Sequence, residues 1–188
     1  MDYRELIDTF VATVNAAPGH RGLADDVPVE LRYGPPDPTY GWLQPDWRII
    51  PSDHAARISS LEQRLGHQFP PSFRSLVCRY SYPAFEFGPV TFFANTGRDT
   101  WWELEKRLFL DPIMSPFLLD LDYIQIGNPL FGHYDPVCIH SGRHGEDGPV
   151  VTLDHEDILT EKRLSVVEQI APSFDDLVRS LVARRVDA

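Results

Sequence analysis

Apolar residues Leu6, Ile7, Phe10, Val11 and Val14 recur at helical spacing, and Asp2 with Glu5 has the offset of a capping box. The spacing predicts an amphipathic helix over residues 2–16 whose apolar stripe must dock on a core. From Ala17 to Pro45 the periodicity dissolves among six prolines and four glycines, and only Val27 to Tyr33 reads as a short edge strand. The aromatics Tyr33, Tyr40, Trp42 and Trp47 argue that this connection packs on the body, since free linkers lack such residues.

Helical spacing returns with Ala55, Ile58, Leu61 and Leu65, with Ser52 or Asp53 as cap and Gly66 as the left-handed terminator. Pro70 and Pro71 separate it from a second short helix starting at Pro71 or Ser72, which buries Phe73, Leu76, Val77 and Tyr80. Phe85, Phe87, Val90, Phe92 and Phe93 then flank Gly88-Pro89, the pattern of two strands meeting at a turn. Trp101, Trp102, Leu104 and Leu108 open a short helix that closes before Pro112. Tyr123 to Ile126, Val137 to His140 and Val150 to Leu153 read as strands, with Ser141 to Gly148 as a hairpin loop between the last two. Ser173 caps a closing helix with Leu177, Val178 and Leu181 on its apolar face and Asp175 and Asp176 in its first turn. Helices at both ends of the chain around a mainly antiparallel sheet, without βαβ alternation, predict an α+β fold. The expected organisation is an N-terminal helix and Pro/Gly-rich extension over residues 1–46, packed on a domain spanning residues 47–188.

Charge narrows the function. The chain has 28 acidic against 17 basic residues, a net charge of -11. Such a chain repels a phosphate backbone, which argues against direct nucleic-acid binding, and favours a basic protein partner by long-range steering. Most of the excess lies after residue 94. The run from His144 to Glu161 holds Glu146, Asp147, Asp154, Glu156, Asp157 and Glu161 and not one Lys or Arg. Cys78 and Cys138 are too few for a disulfide framework, and Met1 to Ala17 lacks the basic start and unbroken apolar run of an export signal. A cytoplasmic protein without a membrane span is expected.

The candidate chemistry is sparse. His133, Asp135, Cys138, His140, His144, Asp154 and His155 are metal-ligating residue types, but no second histidine lies four residues from His155, as a helical zinc site requires. A small metal-dependent hydrolase on this cluster is the enzyme alternative; surface histidines and a satisfied hairpin end are the plainer account, and neither metal nor cofactor is expected. No nucleophile elbow, phosphate loop or dinucleotide fingerprint occurs. The expected partner-binding residues are Trp101, Trp102, Glu103, Asp120, Asp122, Asp154, Glu156 and Asp157. Adjacent tryptophans on a helix point about 100° apart, so one of them is a candidate surface anchor, with core packing as its alternative. Asp154, Glu156 and Asp157 equally suit a helix start, with Asp154 as cap.

The segment from Trp47 through Leu61-Glu62-Gln63-Arg64-Leu65-Gly66, Phe69-Pro70 and Phe73 resembles the opening signature of the SUKH superfamily. That superfamily takes in bacterial toxin-immunity proteins and the yeast killer-toxin-resistance regulators of cell-wall assembly. Ile126-Gly127 followed by Gly132, Tyr134 and Asp135, then Gly148-Pro149-Val150-Val151 and Pro172-Ser173-Phe174, resembles its later half. The resemblance makes Trp47, Leu65, Gly66, Pro70, Phe73, Gly127, Asp135 and Phe174 structural motif positions. It implies a non-enzymatic immunity protein that covers a cognate polymorphic toxin, probed first as a basic nuclease, with an acidic concave sheet face; a regulatory protein-protein adaptor is the remaining alternative.

Overall fold

The computed structural model describes residues 2–17, 27–36, 45–96, 102–130, 134–142 and 145–186. Among the described residues, six α-helices, α1 (Tyr3–Ala16), α2 (Ala55–Leu65), α3 (Pro71–Arg79), α4 (Glu103–Phe109), α5 (Met114–Asp120) and α6 (Phe174–Val186), accompany ten strands. Strands β5 (Phe85–Phe87), β6 (Val90–Phe92), β7 (Tyr123–Pro129), β8 (Val137–His140), β9 (Val150–Leu153) and β10 (Val166–Ala171) form one antiparallel sheet in the order β10-β9-β8-β7-β6-β5. Two small antiparallel pairs, β1 (Arg32–Pro36) with β2 (Pro45–Trp47) and β3 (Ile50–Pro51) with β4 (Tyr80–Ser81), tie the N-terminal connection to the body. The α+β architecture is the one expected.

One sheet face carries the main core. Phe85, Phe87, Val90 and Phe92 project from β5 and β6 onto α1, where Phe10 meets Phe87 edge-on at 5.6 Å and Phe92 at 6.2 Å. The N-terminal helix therefore belongs to the same core as α3 and α6, which it also contacts. The opposite face carries a second, smaller cluster in which Cys138, Val151 and Leu153 pack under Met114 and Leu118 of α5 and Ile158 of a π-helical turn over Asp157–Glu161. Side chains that alternate along each strand thus reach two layers, which is why β8 and β9 are buried almost throughout and mostly apolar.

The corner between α2 and α3 explains why Gly66, Phe69-Pro70 and Phe73 occur together. Gly66 ends α2 at φ 83°, a left-handed conformation without penalty for glycine. Buried Glu62 then accepts the Phe69 N–H at 2.9 Å and pairs with Arg74 Nε at 2.9 Å, fixing the entry into α3. Phe73 of α3 stacks edge-on between Phe69, at 5.4 Å, and Phe174 of α6, at 5.3 Å, so the signature side chains tie the α2–α3 corner to the closing helix. Gly127 sits where β6 and β7 close: a Cβ there would lie 2.2 Å from the Thr91 carbonyl oxygen.

Several local expectations change. Asp2 makes no side-chain cap on α1, and the α2 cap position is His54, with Asp53 Oδ1 accepting the Ala55 N–H at 3.1 Å. Val27 to Tyr33 is not one strand but a 3-10 turn over Val29–Leu31 followed by β1. Tyr80 leaves α3 to start β4. Helix α5 and strand β10 were not anticipated. Leu65 is half-buried at the rim of the main core rather than inside it.

Candidate functional site

The uncovered part of the second sheet face forms the candidate site. Helix α5 and the π-helical turn cover β7 to β9, but toward β5 and β6 the face stays open as a groove of about 680 Å³. Thr91, Gln125 and Asn128 form its polar floor, Glu86 stands on β5 at one side, Arg107, Asp111 and Met114 line the α4–α5 side, and Tyr134, His155 and Leu159 close the other end. Polar residues reach this face because the strand alternation that buries Phe85 and Phe87 turns Glu86 outward.

Asp135 organises one wall. Its Oδ1 accepts the backbone N–H of His155 at 3.1 Å and lies 2.6 Å from His155 Nδ1. Asp154 caps the following turn by accepting the Asp157 N–H on Oδ1 at 3.0 Å, as the capping alternative expects. Ligand atoms of Asp135, Asp154 and His155 fall within 4.8 Å of one another. Of the other described members of the sequence cluster, neither Cys138 nor His140 joins them. Cys138 is fully buried on the sheet, with its thiol pKa pushed up by burial, and His140 stacks on Tyr123 at 4.7 Å. His133 and His144 lie outside the described residues.

The predicted partner-binding residues are dispersed. Trp102 is 5% exposed, packed edge-on against His54 at 4.6 Å and under the Arg57 guanidinium at 4.2 Å, so it anchors α4 to α2 and presents no surface tryptophan. Trp101 lies outside the described residues. Half-buried Glu103 accepts the Ala94 N–H at 3.3 Å. Asp122 adopts a left-handed φ of 60°, and its carbonyl accepts the Ser141 N–H at 2.9 Å. Asp120 and Asp122 therefore sit at the His140 end of β8, whereas Asp154, Glu156 and Asp157 lie beyond its Val137 end, so the two groups flank a strand about 10 Å long at about 3.4 Å per residue. The acidic run is also partly neutralised from outside it, because Arg163 returns to pair with Asp157 at 2.8 Å and Glu161 at 3.0 Å.

Two elements escaped the sequence reading. The first is the floor and Arg107 wall of the groove, which no local pattern marks. The second is Asp147, one of the acidic run, whose carboxylate reaches across to accept the N–H groups of Phe174 at 2.9 Å and Asp175 at 3.2 Å at the start of α6. Ser173 supplies the expected cap, its Oγ accepting the Asp176 N–H at 3.0 Å. The signal for Asp147 was present only as an acid next to glycine in a hairpin loop.

No helix among the described residues is long and apolar enough to cross a membrane. In comparison with known proteins, the family model for the SMI1 / KNR4 family (SUKH-1) matches residues 54–180. No curated protein and no solved structure matches.

Proposed function

This chain belongs to the SMI1 / KNR4 family (SUKH-1), and on that premise we propose that it is a non-enzymatic immunity protein that binds and neutralises a cognate protein toxin. The observation that carries the reading is the family match over about two-thirds of the chain. The site agrees with it in kind: Tyr134 stands 82% exposed at the groove's end, and tyrosine, arginine and methionine, all present here, are the residue types enriched at protein interfaces. A net charge of -11 supports a basic partner, and nucleases, which bind phosphates and are often basic, are a partner class of that kind. Exposed Glu156 and Asp120 are the steering charges, while Asp154 and Asp157 are held by the turn they cap and by Arg163.

The test is co-production with the product of the adjacent gene. The chain is expected to restore growth to cells making that product and to bind it with nanomolar affinity. Glu156→Lys should slow association and weaken its salt dependence without changing dissociation. Failure to protect, with both proteins folded, sinks the immunity reading. The clustering of Asp135, Asp154 and His155 favours one second reading, a divalent-metal hydrolase. Under the immunity reading, chelation leaves the melting temperature unchanged; a stoichiometric ion whose removal lowers it transfers the assignment to the hydrolase.

A further inference from the structure

We infer that the groove over β5 to β7 receives an arginine side chain of the partner polypeptide, held by Glu86 and the Gln125 amide oxygen. The inference rests on the chain being a toxin-binding protein and names the chemistry that its site would recognise.

Gln125 is the first reason. It is 7% exposed in the groove floor, and its Nε2 makes only long contacts, 3.5 Å to the Gly127 carbonyl and 3.4 Å to Asn128 Oδ1. Its Oε1 accepts no hydrogen bond from the described residues and is not sealed from solvent, so it opens to the groove where a ligand's N–H can reach it. That oxygen calls for a donor. Glu86 is the second reason: the exposed middle residue of β5, it has no ion-pair partner among the described residues. Asp111 adds a further carboxylate to the lining, although it is engaged in accepting the Ile113 and Met114 N–H groups at 2.9 and 2.8 Å. The cation of the groove, Arg107, lies with its guanidinium 5.3 Å from the Phe93 ring centroid. The lining thus carries two carboxylates to one guanidinium beside a free amide acceptor, on a chain of net charge -11.

A guanidinium fits this set better than an ammonium. Its five donors lie in one plane, so separate edges can meet a carboxylate and an amide oxygen at once.

The experiment titrates N-acetyl-arginine methylamide into the full chain while backbone amide resonances are recorded. Saturable shifts confined to the groove, with a dissociation constant of about 1 mM as befits one small ligand on an open site, are expected. Glu86→Gln, at an exposed position that leaves packing intact, should weaken binding about fivefold, and Arg107→Ala should tighten it by removing a like charge. No saturable shift, equal or better binding of N-acetyl-glutamate methylamide, or loss of binding in Arg107→Ala overturns the inference. Because the probe is not the toxin, a chain that fails to protect cells yet binds arginine here refutes only the immunity reading. A chain that protects but ignores arginine refutes only the groove assignment.

Discussion

Replacing Asp147 with alanine tests whether a residue from the acidic run is a structural tie rather than a partner contact. Its carboxylate is the acceptor for the Phe174 and Asp175 N–H groups, and Ser173 cannot substitute because its Oγ is engaged with Asp176. Phe174 is fully buried, so water is poorly placed to replace the lost acceptor. Losing an N-terminal cap costs about 1 kcal/mol, leaving a buried N–H unsatisfied costs roughly 1 more, and removing the favourable charge at the α6 start costs about 0.5. Relief of the repulsion from Asp175 offsets part of this. The expected net loss is about 2 kcal/mol, or roughly 5 °C in melting temperature for a chain of this size. Urea denaturation of Asp147→Ala, Asp147→Asn and Ser173→Ala measures it; the asparagine variant keeps one acceptor oxygen and should lose about half as much. Burial raises the Asp147 pKa above its ordinary value of 3.8, while the two backbone N–H donors pull it down. The folded chain therefore takes up this proton at a higher pH than the unfolded chain does, so the Asp147 contribution to stability falls as pH rises from about 3.8 through the folded value. That slope should vanish in Asp147→Ala. An alanine variant within about 0.5 kcal/mol of the parent, alongside a Ser173→Ala loss of about 1, refutes the reasoning.

Gly127→Ala should cost about 2–4 kcal/mol, because its Cβ would meet backbone at 2.2 Å and push β6 from β7; a neutral result in urea melts shows that the strands can part freely there. Trp47→Ala, 1% exposed and 5.8 Å from Phe85, should lose about 3–5 kcal/mol, whereas half-buried Leu65→Ala should lose only about 1–2, and equal losses in calorimetry contradict that ranking. Burial, followed by Arg57, lowers the His54 pKa below 6.5. Stability should therefore be complete above about pH 6.5 and decline as pH falls below it, since the unfolded chain takes the proton first. His54→Gln should flatten that decline in pH-resolved melts, and an unchanged slope places the titration elsewhere.

The sequence by itself determined the α+β class, the two-helix signature at Gly66 and Pro70, the β5–β6 hairpin and the caps at Ser173 and Asp154. These depend on periodicity, glycine and proline, and short-range acceptors, all of which act within a few residues. It also supported family membership, because the signature side chains recur in a fixed order along the chain. Helix α5 escaped notice because Met114-Ser115-Pro116-Phe117-Leu118-Leu119-Asp120 carries proline inside a short apolar run. Strand β10 escaped because four of its six residues are exposed on a sheet edge, without the alternation that marks half-buried strands. Only the tertiary structure decided which charges stand free. Trp102 disappears beneath Arg57, Asp147 reaches across to the start of α6, and Glu86 and Gln125, far apart in sequence, line one groove. Charge and exposure are set by which distant segment packs against a side chain, and that pairing is a property of the sheet order rather than of any local pattern.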